Sequence, residues 1–156
     1  MATDFTVIQG VRQQFGAADE TQGGEASAPF VGPSKEFPFE TARVDRNQHA
    51  ILQFQSFGVQ HRRNILRVNG TDVFGGLTTS IELLRETELI VVRLNQWQTH
   101  SLLINPGVLR EQNTLFIESR DSDGDTSGRL DSFVLDNITI LFKTREQATN
   151  PGDVFV

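Results

Sequence analysis

Two stretches late in the chain constrain its fold more than anything else in it. Gly107-Val108-Leu109-Arg110-Glu111-Gln112-Asn113-Thr114-Leu115-Phe116-Ile117-Glu118 opens in a turn ending in Asn-Thr and feeds an apolar strand, Leu115-Phe116-Ile117. After an acidic loop, Asp131-Ser132-Phe133-Val134-Leu135-Asp136-Asn137-Ile138-Thr139-Ile140 repeats the pattern. A period of two places successive side chains on opposite faces, which is a strand signal. Two such runs joined by a carboxylate-rich connection predict an antiparallel pair, and an all-β fold follows.

The rest of the chain agrees with that reading. Phe37 and Phe39 alternate across Pro38, which suits an edge strand. Ala50, Leu52 and Phe54 fall on one face of the segment His49 to Phe57, with Gln53 and Gln55 opposite. Asn64 to Asn69 is a short strand that ends in Asn69-Gly70, a tight-turn dipeptide whose residues both tolerate positive φ. Gly75-Gly76 and Asn105-Pro106-Gly107 mark further turns. Leu89 to Leu94 is apolar enough for a strand buried on both faces. In the last strand, Val134, Ile138, Ile140 and Phe142 share one face while Phe133, Leu135 and Leu141 share the other, so the strand is expected to be central. Only Ser80 to Glu88 reads as helical, with Ser80 as cap and Ile81, Leu83 and Leu84 packing, and a loop or strand fits the segment almost as well.

The expected architecture is a single antiparallel β-sandwich. Residues 1–15 form an N-terminal arm or first strand, with Phe5 and Val7 on one face. A Gly/Ala/Ser/Pro-rich loop or linker fills 16–36, the sandwich spans 37–143, and a tail runs over 144–156. At 156 residues, 37% of them hydrophobic and twelve of them Phe, the chain has material for one substantial core.

Charge and cysteine usage narrow the function. A net charge of −6 argues against nucleic acid as partner. The absence of Cys excludes disulfides, thiolate metal sites and Cys nucleophiles. No run has the length of a membrane helix and no signal peptide is evident, so the cytoplasm or a virion is the default location. Of 14 basic residues only Lys35 and Lys143 are lysine. That bias fits either an assembly interface, where Arg is enriched, or plain genome composition. The sequons at Asn69 and Asn137 matter only in a secretory setting.

Taken in order, Ile65-Leu66-Arg67-Val68-Asn69-Gly70, then Trp97, then Leu109-x-x-x-Asn113-Thr114-Leu115-x-Ile117, then Asp131-Ser132-Phe133-Val134-Leu135 resemble galactose-binding-like jelly rolls. The likeness covers roughly residues 37 to 143 and departs from the family's pattern at Glu111-Gln112, where a Gly is usual. It implies a jelly-roll sandwich and, more distantly, an accessory sugar-binding role.

Three groups of residues are candidates for chemistry. Trp97, Gln98 and His100 combine an aromatic with amide and imidazole groups, the set that stacks on a sugar ring and bonds its hydroxyls; the plainer alternative has Trp97 covering one end of the sandwich. Asp121, Asp123, Asp125 and Asp131 are hard oxygen ligands in a flexible loop, suited to a structural Ca²⁺. Thr126 and Ser132 break the EF-hand pattern, and an ordinary turn explains the loop as well. His61-Arg62-Arg63 is a compact positive spot. Glu82, Glu86, Glu88 and Glu118 supply carboxylates for a glycosidase pair only if two converge. No nucleophile motif occurs, and His100 and Ser101, adjacent in a strand, point apart.

The function expected is therefore non-catalytic recognition, of carbohydrate first. The rival is a structural subunit of a virion, tail or filament that oligomerises through its terminal segments. An enzyme has no supporting motif.

Overall fold

The structure, a computed structural model, describes residues 2–17, 28–78, 82–86, 89–93, 97–121, 123–124 and 129–145, with backbone alone for 82–86 and 89–93. Among these residues all regular structure is β. Twelve strands occur: β1 (Thr3–Gln9), β2 (Gln13–Phe15), β3 (Phe30–Gly32), β4 (Ser34–Glu40), β5 (Ala50–Phe57), β6 (Ile65–Val68), β7 (Thr71–Asp72), β8 (Glu82–Glu86), β9 (Leu89–Arg93), β10 (Trp97–Ile104), β11 (Gln112–Glu118) and β12 (Phe133–Lys143). No helix among the described residues is long and apolar enough to cross a membrane.

The strands form two facing sheets and a separate hairpin. One sheet runs β10-β5-β12-β2-β3, with β1 also paired to β12; the other runs β4-β11-β6-β7. The main apolar core draws Phe15, Leu52, Phe54, Ile104, Phe133, Ile138 and Ile140 from the first sheet and Phe37, Phe39, Leu66, Val68, Leu115 and Ile117 from the second. A β-sandwich-like layering results, because each sheet has one apolar face and buries it against the other.

Local chemistry accounts for most strand boundaries. Asn69 (φ 51°) and Gly70 (φ 78°) join β6 to β7 as a two-residue turn. Both residues sit at positive φ, the geometry that matches the twist of a tight hairpin. Pro38, which can donate nothing to a ladder, lies in β4 at the edge of its sheet. β12 is central, flanked by β5 on one side and by β1 and β2 on the other.

Four expectations need correction. The late antiparallel pair does not form: β11 lies between β4 and β6 in one sheet and β12 lies in the other, so residues 119–132 connect the two sheets instead of closing a hairpin. Phe133 and Leu135 do not face away from Ile138, Ile140 and Phe142: all five are in the same core. The register of β12 against β5 shifts between Asp136 and Thr139, and Asn137 has φ 51°. This β-bulge inserts an extra residue and flips the alternation halfway along the strand. Within Ser80 to Glu88, residues Glu82–Glu86 take the strand alternative as β8, paired antiparallel with β9 from Glu82↔Arg93 to Glu86↔Leu89, while Ser80, Ile81, Thr87 and Glu88 lie outside the described residues. A short run containing two adjacent leucines fits either period, and the β-branched Ile90-Val91-Val92 that follows supplies a ladder partner. Finally, the sandwich is not wholly antiparallel, because β2 and β3 pair in parallel. Residues 16–29 between them provide the length that a parallel crossover needs.

Residues 3–9 and 13–15 thus lie in the main sheet alongside β12, while 16–36 contains β3 and the start of β4. Thr144 still bridges to Val44, and the tail 146–156 lies outside the described residues.

Candidate functional site

Trp97, Gln98 and His100 share strand β10 but do not converge. Paired with Phe57 of β5, Trp97 stands on the outer face of its sheet, where Phe57 packs against the indole at 5.2 Å and Arg12 lies over it at 4.9 Å. Gln98 is half-buried. His100 points the other way, 7% exposed and stacked on Phe54 at 4.8 Å. Ser56 Oγ lies 2.7 Å from its Nε2 and Thr78 Oγ1 3.1 Å from its Nδ1. Burial lowers the imidazole pKa below its ordinary value. Ser56 is fully buried, so the Ser56–His100 contact offers no substrate access. It is a polar joint inside the core.

At the ends of the acidic loop, Asp121 and Asp131 are buried. Asp121 Oδ1 accepts the backbone N–H of Asp123 at 3.0 Å, a local turn bond. Arg63 reaches the Asp123 carbonyl at 3.3 Å, so the basic spot at 61–63 is tied to this loop. Asp131 is 3% exposed; its Oδ2 accepts from Gln60 N–H at 2.9 Å and Asn64 Nδ2 at 2.8 Å. Its Oδ1 is buried with no hydrogen-bond partner among the described residues. Asp125 lies outside them. No three His, Asp or Glu side chains come together among the described residues.

Burial pushes the Asp131 carboxyl above the ordinary Asp value, against its hydrogen bonds and His61, which pull it down. A raised folded-state value means that Asp131 binds its proton more tightly in the native state. Its stabilising contribution is therefore present in acid and lost as pH rises through the folded value. Asp131→Asn retains both accepted bonds and removes the buried charge. At pH 7 it is expected to gain about 1 kcal/mol, or roughly 3 °C in melting midpoint. The gain shrinks as pH falls and the native carboxyl becomes neutral too. A variant midpoint below wild type only when Ca²⁺ is present would instead show that a cation engages this carboxylate.

The residues behind the jelly-roll resemblance turn out to be joints. Asn113 Oδ1 accepts from Arg110 N–H at 2.7 Å and from Asn69 Nδ2 at 2.9 Å, while its Nδ2 donates to Arg110 O at 2.8 Å and Thr41 Oγ1 at 3.0 Å. Asn69 Oδ1 in turn accepts the N–H of Thr114 at 2.9 Å. The motif clamps a turn, a loop and a strand start to one another.

What remains open is the outer face of the smaller sheet. Along β11, Asn113, Leu115 and Ile117 point into the core, so Thr114, Phe116 and Glu118 point out. Phe116 stands between Glu36 of β4 and Arg67 of β6 in cross-strand register. Arg67 is held by Asp72 at 2.7 Å. Two shallow depressions lie on this face and share Thr114. One, of about 330 Å³, is lined by Glu36, Arg67, Gly70, Thr114 and Phe116. The other, of about 420 Å³, is lined by Pro38, Phe39, Glu40, Gln112, Asn113 and Thr114. Together they form an open trough with an aromatic at one end and carboxylate, amide, hydroxyl and guanidinium groups along its sides.

No family model, curated protein or solved structure matches the chain. The site must be judged by its geometry. Sequence reasoning passed over Phe116, Glu36 and Arg67, although the alternation in β11 already placed Phe116 opposite Leu115 and Ile117. An aromatic on the polar face of a strand was the available signal.

Proposed function

We propose that the chain is a non-catalytic recognition module of jelly-roll type that binds carbohydrate along the outer face of the β4-β11-β6-β7 sheet. The observation that carries this reading is Phe116 set between Glu36 and Arg67 in a trough open at the surface. A sugar ring presents apolar C–H faces and a rim of hydroxyls. An aromatic face covers the first, and planar carboxylate, amide and guanidinium groups bond the second. The depression is long and shallow, which suits a chain of sugars lying across the strands better than an enclosed small molecule.

Hydrolysis is poorly served by the same face. Glu36 and Glu40 are separated along β4 by about 13 Å at roughly 3.3 Å per residue, beyond the carboxylate spacings of about 5 to 9.5 Å that glycosidases use. Glu118 is engaged by Arg120 at 2.9 Å.

Phe116→Ala is expected to weaken polysaccharide binding at least tenfold, about 1.4 kcal/mol, in a glycan array followed by titration calorimetry. Glu36→Gln should weaken it less, and the melting midpoint of both variants should stay close to wild type because neither side chain is in the core. Absence of binding to any glycan, or equal binding by Phe116→Ala, would sink the reading. A second reading, a building block of a larger assembly, is favoured by the apolar side chains that the other sheet exposes, Phe5, Ile51 and Leu103.

A further inference from the structure

The solvent face of the larger sheet carries an apolar row that the fold does not need. Leu103 of β10 pairs with Ile51 of β5, Ile51 with Leu141 of β12, and Leu141 with Phe5 of β1. Directly paired antiparallel residues project to the same side. The four side chains therefore form one stripe across four strands, on the face opposite the core. Phe5 is 63% exposed, Leu103 55% and Ile51 37%, and Leu141 is half-buried. The next row, Ser101-Gln53-Thr139-Val7, is uncharged, and its Val7 is 55% exposed. A sheet wet on one face normally alternates apolar-in with polar-out, so a large apolar row facing water calls for a partner.

We propose that this face is a self-association surface, on which a second copy of the chain packs its own equivalent face. Three observations select a second copy. First, shape: the face is built from directly paired antiparallel strands, and a surface that fits such a sheet is another sheet, packed at about 30° and about 10 Å away. A second copy offers that surface, and a two-fold axis brings each row against its equivalent.

Second, charge: the chain carries −6, so two copies repel wherever acidic surfaces meet. The two rows contain no charged residue, although 22% of the chain is charged. The contact is thus placed where repulsion is least. The same neutrality disfavours an anionic lipid surface or nucleic acid, which would call for Lys and Arg.

Third, area: four strands at about 4.8 Å spacing span about 19 Å; the two uncharged rows run about 13 Å along them, and with the flanking rows of the same strands the face runs about eight residues, or about 26 Å. Two such faces pressed together remove on the order of 1,000 Å² from water, the size at which a specific interface begins.

Sedimentation velocity of the full chain between about 1 μM and 1 mM tests this. Wild type is expected to form a discrete dimer. Phe5→Ser and Leu103→Ser lie at opposite ends of the row, and each is expected to weaken the dimer at least tenfold, the double variant at least a hundredfold. Both side chains are exposed, so the variants' melting midpoints, extrapolated to low concentration, should match wild type and show that they fold. Phe116→Ala should dimerise like wild type, which separates this surface from the carbohydrate trough.

A dimer sensitive to Phe5→Ser but not to Leu103→Ser would mean strand addition at β1, and would overturn face packing. A chain monomeric to 1 mM overturns the proposal as well. If that monomer then binds the apolar dye ANS, the row is open to a partner of another kind; if it does not, the chain itself covers the row.

Discussion

A Phe133→Ala variant is expected to lose about 4 kcal/mol of unfolding free energy, equivalent to roughly 10 °C in melting midpoint for a chain of this length. Phe133 is fully buried and stacks on Phe15 at 5.3 Å with an interplanar angle of 17°. Phe15 in turn meets Phe37 of the facing sheet at 6.5 Å. The three rings therefore connect β12 to β2 and the first sheet to the second. Truncation removes the transfer free energy of a ring, leaves a cavity in a rigid setting, and deletes an aromatic pair worth about 1 kcal/mol in itself. Phe133→Leu, which keeps most of the volume, should cost about 1 to 1.5 kcal/mol. Urea unfolding with an unchanged slope would confirm that the loss is one of stability rather than of cooperativity. A loss below about 1 kcal/mol for the alanine variant would show that the rings do not join the sheets as described.

Asn113→Ala is the second large effect, about 3 kcal/mol. Its amide makes four hydrogen bonds in a nearly solvent-free setting, and truncation leaves the Arg110 N–H without its acceptor. Asn69 and Thr41 keep other bonds, to Val108 O at 2.8 Å and to Arg110 O at 2.5 Å, which limits the damage. Because Asn69 and Asn113 belong to one network, their effects should not add. A double-mutant cycle with Asn69→Ala is expected to show about 1 to 2 kcal/mol of coupling. Additivity within about 0.3 kcal/mol would contradict the network.

How much of this was legible beforehand depended on the range of the interaction. Phe37-Pro38-Phe39, the alternation of β5 and the Asn69-Gly70 turn are set by dihedral preferences and side-chain period, which act over a few residues. They were read correctly. The faces of β12 differ from the expectation because a bulge at Asn137 is a local exception that changes the parity of everything after it, and the sequence signal for it is a single residue, an Asn that tolerates positive φ inside an apolar run. For residues 82–86, the sequence leaves helix and strand open because a segment with adjacent leucines takes whichever structure its neighbour supports, and the neighbour β9 selects the strand.

The candidate site was less legible than the fold. Trp97 and His100 are three residues apart in sequence, and strand parity alone sends them to opposite faces of the sheet. Asp121 and Asp131 resemble ligands in sequence, and in the structure each carboxylate accepts protein hydrogen bonds that the sequence does not show. The trough combines Glu36, Arg67 and Phe116 from three strands, and the apolar row takes Phe5, Ile51, Leu103 and Leu141 from four. Neither can be seen without the register.

The sequence by itself determined the class: all-β, with most strands where alternation and turn residues place them, and a core drawn from its phenylalanines and aliphatic residues. Those properties are local, because period, φ preference and hydrophobicity belong to single residues and their immediate neighbours. Only the tertiary structure decided which strands lie side by side, which motif asparagines are joints rather than contacts, and which outward-facing residues fall into line as a trough or a stripe. Pairing between strands distant in sequence is a cooperative choice of the whole chain, made by burying all the apolar faces at once. A surface site assembled from that pairing exists only after the choice is made.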